Sequence, residues 1–160
     1  TLKDLKIRIP FTDEYIENFL LKNDIKVSTN SPSIEMILIY DSGKNNTKTL
    51  FDREIVDTNF FDIVQKNFYR GKIHRLWIIN YQPNHGTFFH KDDVVNRVVC
   101  PIKNNNKSIL YYDNYSKIEE WKLDLYKCYH IGKEPHKFFN NHETENRVAL
   151  VFDYKHELII

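Results

Sequence analysis

With 160 residues, 41% of them apolar, the chain is long enough to bury a substantial core without disulfide staples. Its 23 Lys and Arg against 22 Asp and Glu leave a formal charge of +1, so it lacks the basic surplus of a nucleic-acid binder. No apolar run approaches the roughly 18 residues of a membrane helix, and two cysteines, Cys100 and Cys128, are too few for a disulfide framework. These features point to a cytoplasmic protein with reduced thiols and with neither a membrane nor a nucleic-acid partner.

In chain order, "LKIRIP" puts Ile7 and Ile9 on one face and predicts a short strand. "TDEYIENFLLKN" predicts a helix behind Thr12, whose hydroxyl suits an N-cap. "SIEMILIYD" (33–41) predicts a strand, and the polar "SGKNNTK" after it a loop. "DTNFFDIVQKNFYRG" (57–71) carries the strongest helical pattern. Asp57 or Thr58 caps it, Phe60, Phe61, Val64 and Phe68 form its apolar stripe, and Gly71 is its expected terminator.

From Lys72 the texture changes to seven short β-rich runs: "KIHRLWIINY", "GTFFH", "NRVVCPI", "SILYYD", "WKLDLYKCYHI", "HKFFN" and "RVALVFDY". Turn chemistry separates them, notably at Pro83-Asn84-His85-Gly86 and in the polar run 141–146. The expectation is an α+β protein forming a single domain over 1–160. A double-sheet sandwich or jelly roll spans 72–156, and residues 1–71 form an α/β support whose helices buttress an outer sheet face.

His90-Lys91-Asp92 follows "GTFF", and residues i and i+2 of an extended chain share a face. An imidazole and a carboxylate presented together are two corners of the facial triad that holds non-haem iron, which needs one further histidine. Three downstream histidines are candidates: His130, His136 and His142. His142 lies in the turn-like "NNHETEN", and His130 between Tyr129 and Ile131. His136 opens "HKFFN", a strand expected to form a hairpin with "RVALVFDY" and so to bring Arg147 to the metal mouth. An arginine facing an apolar sandwich is expensive unless it meets an anion, and its planar fork matches a carboxylate.

On these residues the chain resembles the Fe(II)/2-oxoglutarate-dependent dioxygenases, and is most similar to their aspartyl/asparaginyl β-hydroxylase branch. The resemblance rests on His90-x-Asp92, Arg97, "PHKFFN" with His136, and "NRVALVFDYKH" with Arg147 and the acidic-aromatic-His stretch ending at His156, and it covers 72–156. It implies a double-stranded β-helix, Fe(II) held by His90, Asp92 and His136, and the distal carboxylate of 2-oxoglutarate held by Arg147. Arg97 is either a co-substrate contact or a strand arginine paired with a carboxylate. Asn80 and Tyr81 either contact 2-oxoglutarate or serve the core or an edge.

The activity implied is O2-dependent hydroxylation of an unactivated C–H on an amino-acid or peptidyl side chain of Asp, Asn or Pro type, yielding succinate and CO2. By the same resemblance, a retained Asp92 favours hydroxylation over halogenation, which needs that coordination position vacant. The alternative is a cupin-like sandwich that binds a metal or small acid without 2-oxoglutarate turnover, and it has no use for Arg147. A pure protein-interaction module requires all four residues to coincide by chance.

Overall fold

Period-two apolar patterning dominates the computed structural model, which describes residues 2–27, 34–43, 50–92, 94 and 96–155. Along the chain run β1 (Lys3–Arg8), α1 (Asp13–Lys22), β2 (Ile34–Asp41), β3 (Arg53–Glu54), α2 (Thr58–Asn67), β4 (Lys72–Tyr81) and β5 (His85–Gly86). Then follow β6 (Arg97–Lys103), β7 (Ser108–Asp113), β8 (Ile118–Trp121), β9 (Lys127–His130), β10 (His136–Asn140) and β11 (Arg147–Lys155). They build a seven-stranded sheet, β1-β9-β6-β11-β4-β2-β3, and a four-stranded sheet, β5-β10-β7-β8.

Alternation along the central strands sorts their side chains onto two faces. Val148, Leu150, Phe152 and Tyr154 of β11 join Ile78, Val98 and Cys100 in a cluster with Phe60, Val64 and Phe68 of the helical layer. Ala149 and Val151 of β11 join Trp77, Tyr81 and Val99 on the other face, against Leu110, Tyr112 and Phe138 of the small sheet. The molecule is thus a jelly-roll, cupin-like double-stranded β-helix with helices buttressing the large sheet.

Local chemistry explains the helices. Thr12 accepts the Tyr15 amide and Asp57 the Phe60 amide, each relieving an orphan donor of the first turn. α2 ends at Asn67, ahead of the expected Gly71. Gly71 instead lets the chain pass against β11, where a Cβ would collide with the Lys155 carbonyl.

Several expectations are corrected. β1 and β2 are not a separate support, because they pair with β9 and β4 inside the large sheet. "WKLDLYKCYHI" splits between β8 and β9 around Tyr126, which has φ of 64°. "GTFFH" leaves the ladder after Gly86, and His90 rejoins as an isolated bridge opposite His136. β10 and β11 form no hairpin: β10 pairs with β5 and β7, and β11 with β4 and β6. Residues 141–146 therefore cross from one sheet to the other. Buried Asn140 bridges the Tyr81, Gln82 and Glu145 carbonyls at the start of that crossing. His156, Asp93 and most of "SGKNNTK" lie outside the described residues.

Candidate metal centre

His90 and His136 face one another as an antiparallel pair, each amide donating to the other's carbonyl at 3.0 and 2.9 Å. Their rings lie 4.6 Å apart. Asp92 completes the cluster, with His136 Nε2 3.0 Å from Oδ2 and His90 Nε2 3.6 Å from Oδ1. The three ligand atoms lie within 4.8 Å of one another.

Hydrogen bonding assigns the ring nitrogens. His90 Nδ1 lies 2.7 Å from the Phe88 carbonyl oxygen, and His136 Nδ1 2.9 Å from that of Glu134. A carbonyl only accepts, so each Nδ1 carries a proton, and each ring turns Nε2, the nitrogen left to coordinate a cation, toward Asp92. Backbone-anchored imidazoles with a converging carboxylate are the arrangement of a divalent metal site. These residues fit Fe(II).

Arg97 braces the cluster. Its Nε and Nη2 donate to Asp153 at 2.8 and 3.0 Å, and its Nη1 lies 3.1 Å from Asp92 Oδ1. The guanidinium also rests 4.9 Å from the Trp77 ring centroid. Burial opposes ionisation of Asp92, but the His136 hydrogen bond and the Arg97 charge together hold its carboxyl below the usual range. Arg97 is thus committed to two carboxylates, as a paired strand arginine.

Arg147 heads β11 on the same face as Ala149 and Val151, so it points into the sandwich from the sheet opposite β10. It is the largest fully buried side chain, 1% exposed. Its charge lies 3.5 Å from the Phe138 ring centroid and 5.8 Å from that of Tyr81. Nε and Nη1 have no hydrogen-bond partner among the described residues, and no salt bridge there involves Arg147. Burial pulls its pKa down to about 9. A buried guanidinium with unsatisfied donors is costly to fold and is suited to pairing with an anion.

A cavity of about 100 Å³ joins these groups, lined by His90, Asp92, His136, Arg147, Tyr81 and Trp77 among others. Trp77 brings a buried Nε1–H with no acceptor among the described residues. Asn80 is not brought in. It sits on the opposite face from Tyr81, donates to the Lys26 carbonyl and accepts from Asn146. His142 stays in its own turn, where Nδ1 accepts the Thr144 and Glu145 amides. The parity rule separates Asn80 from Tyr81 at sight. Nothing local in the sequence announces Trp77, and Asp153 stands out there only as the acidic member of the stretch ending at His156, not as a partner of Arg97.

No protein-family model matches the chain, and no curated protein matches it. Among solved structures it is similar to an oxidoreductase of the 2OG-Fe(II) oxygenase family from Burkholderia pseudomallei. That likeness has a TM-score of 0.56 and 14% identity, over 96% of this chain and 84% of that one. Weaker likenesses are to oxalate oxidase in complex with the substrate analogue glycolate (TM-score 0.47, 11% identity, 81% and 56% covered) and to a Pseudomonas putida prolyl-4-hydroxylase (0.46, 9%, 89% and 83%). At such identities the likeness is one of fold. Among the described residues, no helix is long and apolar enough to cross a membrane.

Proposed function

We propose that the chain is an Fe(II)- and 2-oxoglutarate-dependent dioxygenase that hydroxylates an unactivated C–H of an amino-acid or peptidyl side chain. The observation that carries this reading is Arg147, a buried and unpaired guanidinium lining the same small cavity as His90, Asp92 and His136. Placement in the aspartyl/asparaginyl β-hydroxylase branch rests on motif spacing alone.

His90, Asp92 and His136 would hold Fe(II), which with 2-oxoglutarate and O2 supplies the oxidising power for C–H hydroxylation. The chain's own groups bind and orient. Arg147 pairs with the distal carboxylate of the co-substrate, and Trp77 Nε1–H offers a second donor. Tyr81, Phe138 and Val99 give the cavity apolar walls that exclude water. Arg97, held by Asp153, fixes the rotamer of Asp92. A metal- or acid-binding sandwich without turnover is the competing reading, and it leaves the placement of Arg147 beside the triad without a purpose.

The test is anaerobic titration of the Fe(II)-loaded protein with 2-oxoglutarate, followed by the visible charge-transfer band of a chelated keto acid. Arg147→Ala should weaken that binding by about 2–5 kcal/mol, since a buried carboxylate loses its charged partner. Unchanged affinity in the variant, or no band in the parent, would refute the reading.

A further inference from the structure

β6 and β9 bring the chain's two cysteines together. The strands run antiparallel with Val98 opposite His130 and Val99 opposite Tyr129, so the next residues to meet are Cys100 and Cys128. Both are 0% exposed, both belong to the helix-facing apolar cluster with Val98 and Tyr126, and their thiols interact directly. The Ile131 amide donates to the Arg97 carbonyl, which puts the hydrogen-bonded rungs at Arg97 and Val99 and makes Cys100–Cys128 a non-hydrogen-bonded one. Across such a rung Cα atoms stand about 4.5 Å apart, inside the roughly 4.4–6.8 Å that a disulfide spans.

The ladder around this pair is loose on both edges of β9. Toward β6 the next rung falls on Pro101, which has no N–H to donate. Toward β1, Asp4 pairs with Tyr129 and Arg8 with Lys127, so Leu5, Lys6 and Ile7 bulge opposite Cys128 alone. Lys6 in that bulge (φ 59°) and Tyr126 at the start of β9 (φ 64°) both hold the left-handed conformation, which is strained for residues with a side chain.

Strands with interrupted ladders open at lower free energy than the body of a sheet, and an opening of β9 bares Cys128. While the strand is closed the pair is shielded. Burial, with the Cys128 thiol beside it, pushes the Cys100 thiol well above the usual cysteine range, and a protonated thiol is a poor nucleophile.

We propose that Cys100 and Cys128 are a site of reversible oxidation, closed by hydrogen peroxide into a disulfide that ties β9 to β6. The Cys128 thiolate, bared when β9 opens, attacks the peroxide O–O bond, leaving a sulfenic acid and releasing water. The Cys100 sulfur then displaces that hydroxyl as a second water and forms the S–S bond. The balance is 2 R–SH + H2O2 → R–S–S–R + 2 H2O, each sulfur giving one electron and the peroxide taking both. The bond restricts the unfolded chain and replaces the rung that Pro101 cannot make, so it stabilises the fold. It forms on the face of the sheet turned away from His90, Asp92, His136 and Arg147, and is independent of the metal centre.

The test treats the reduced full chain, without added metal, with hydrogen peroxide under native conditions. Intact mass, peptide mapping without reductant and thermal unfolding are followed. The monomer should become lighter by two hydrogens, yield a peptide linking Cys100 to Cys128, revert with dithiothreitol and unfold at a higher temperature than the reduced form. Cys100→Ala should give neither the linked peptide nor the peroxide-dependent rise in thermal midpoint. Pro101→Val, which restores an N–H between β6 and β9, should form the same link more slowly. Thiols that stay unmodified in the native protein, oxygen added to the cysteines separately, a covalent dimer, or a linked monomer with a lowered midpoint overturns the inference. An undiminished rate in Pro101→Val overturns it as well, since closure would then not depend on the interrupted ladder. The parent's peptide map is decisive even where Cys100→Ala fails to fold.

Discussion

The two faces of β4, β6 and β11 are made from alternate residues of the same strands, yet one is chemically quiet and the other is not. Toward the helices, Ile78, Val98, Leu150 and Phe152 meet Phe60, Val64 and Phe68, and Phe60 stacks on Phe19 with centroids 4.1 Å apart. Toward the small sheet, Trp77, Tyr81, Val99 and Val151 share space with a buried unpaired arginine and a His-Asp-His cluster. The quiet face supplies the free energy of folding by apolar burial, and that surplus lets the other face carry groups which, without ligands, oppose folding. Stability and chemistry are divided by strand parity.

Substitutions on each face sharpen that division. The largest effect is expected at the cluster itself. His136→Ala should abolish stoichiometric Co(II) or Fe(II) binding in calorimetry at neutral pH, while His142→Ala, confined to its own turn, should leave it nearly intact. The reverse result would remove the metal centre from the sandwich face.

On the helix side, Phe60→Ala should lower unfolding free energy by about 3–5 kcal/mol in urea titrations. Metal affinity of the folded protein should not change, and a matching loss of affinity would break the proposed separation of the faces.

Arg147→Met should do the opposite to stability. Removing an unpaired buried charge in favour of an apolar side chain should raise the thermal midpoint of the ligand-free protein, by about 1–4 kcal/mol in stability. The same variant should no longer be stabilised by added 2-oxoglutarate. A destabilised variant would mean that Arg147 already has a partner when no ligand is present.

The smallest effect belongs to the brace. Asp153→Asn keeps the shape but withdraws the charge that holds Arg97 against Asp92. It should weaken metal binding about 10–100-fold with little change in global stability. No change would make the Arg97–Asp153 pair merely structural.

Much of this was readable along the chain because it depends on neighbours a few residues apart. Period-two runs located β4, β6, β7, β10 and β11, and Thr12 and Asp57 marked their helices through capping within one turn. The i, i+2 relation put His90 and Asp92 on one face, and the apolar context of "HKFFN" separated His136 from His142.

Whatever depends on which strand lies beside which was settled only in three dimensions. Sequence adjacency suggested a β10–β11 hairpin, yet the crossing at 141–146 sends the two strands to opposite sheets, so Arg147 faces His136 across the sandwich instead of flanking it. Strand parity set Asn80 and Tyr81 on opposite faces, but only pairing with β11 and β2 decided which one meets the cavity, turning Tyr81 to it and Asn80 to the Lys26 carbonyl. The Asp153–Arg97–Asp92 brace spans 56 residues at its longer link, and no local pattern encodes a contact of that range. Periodicity and capping are short-range preferences of the backbone, while sheet order is a property of the whole packed chain.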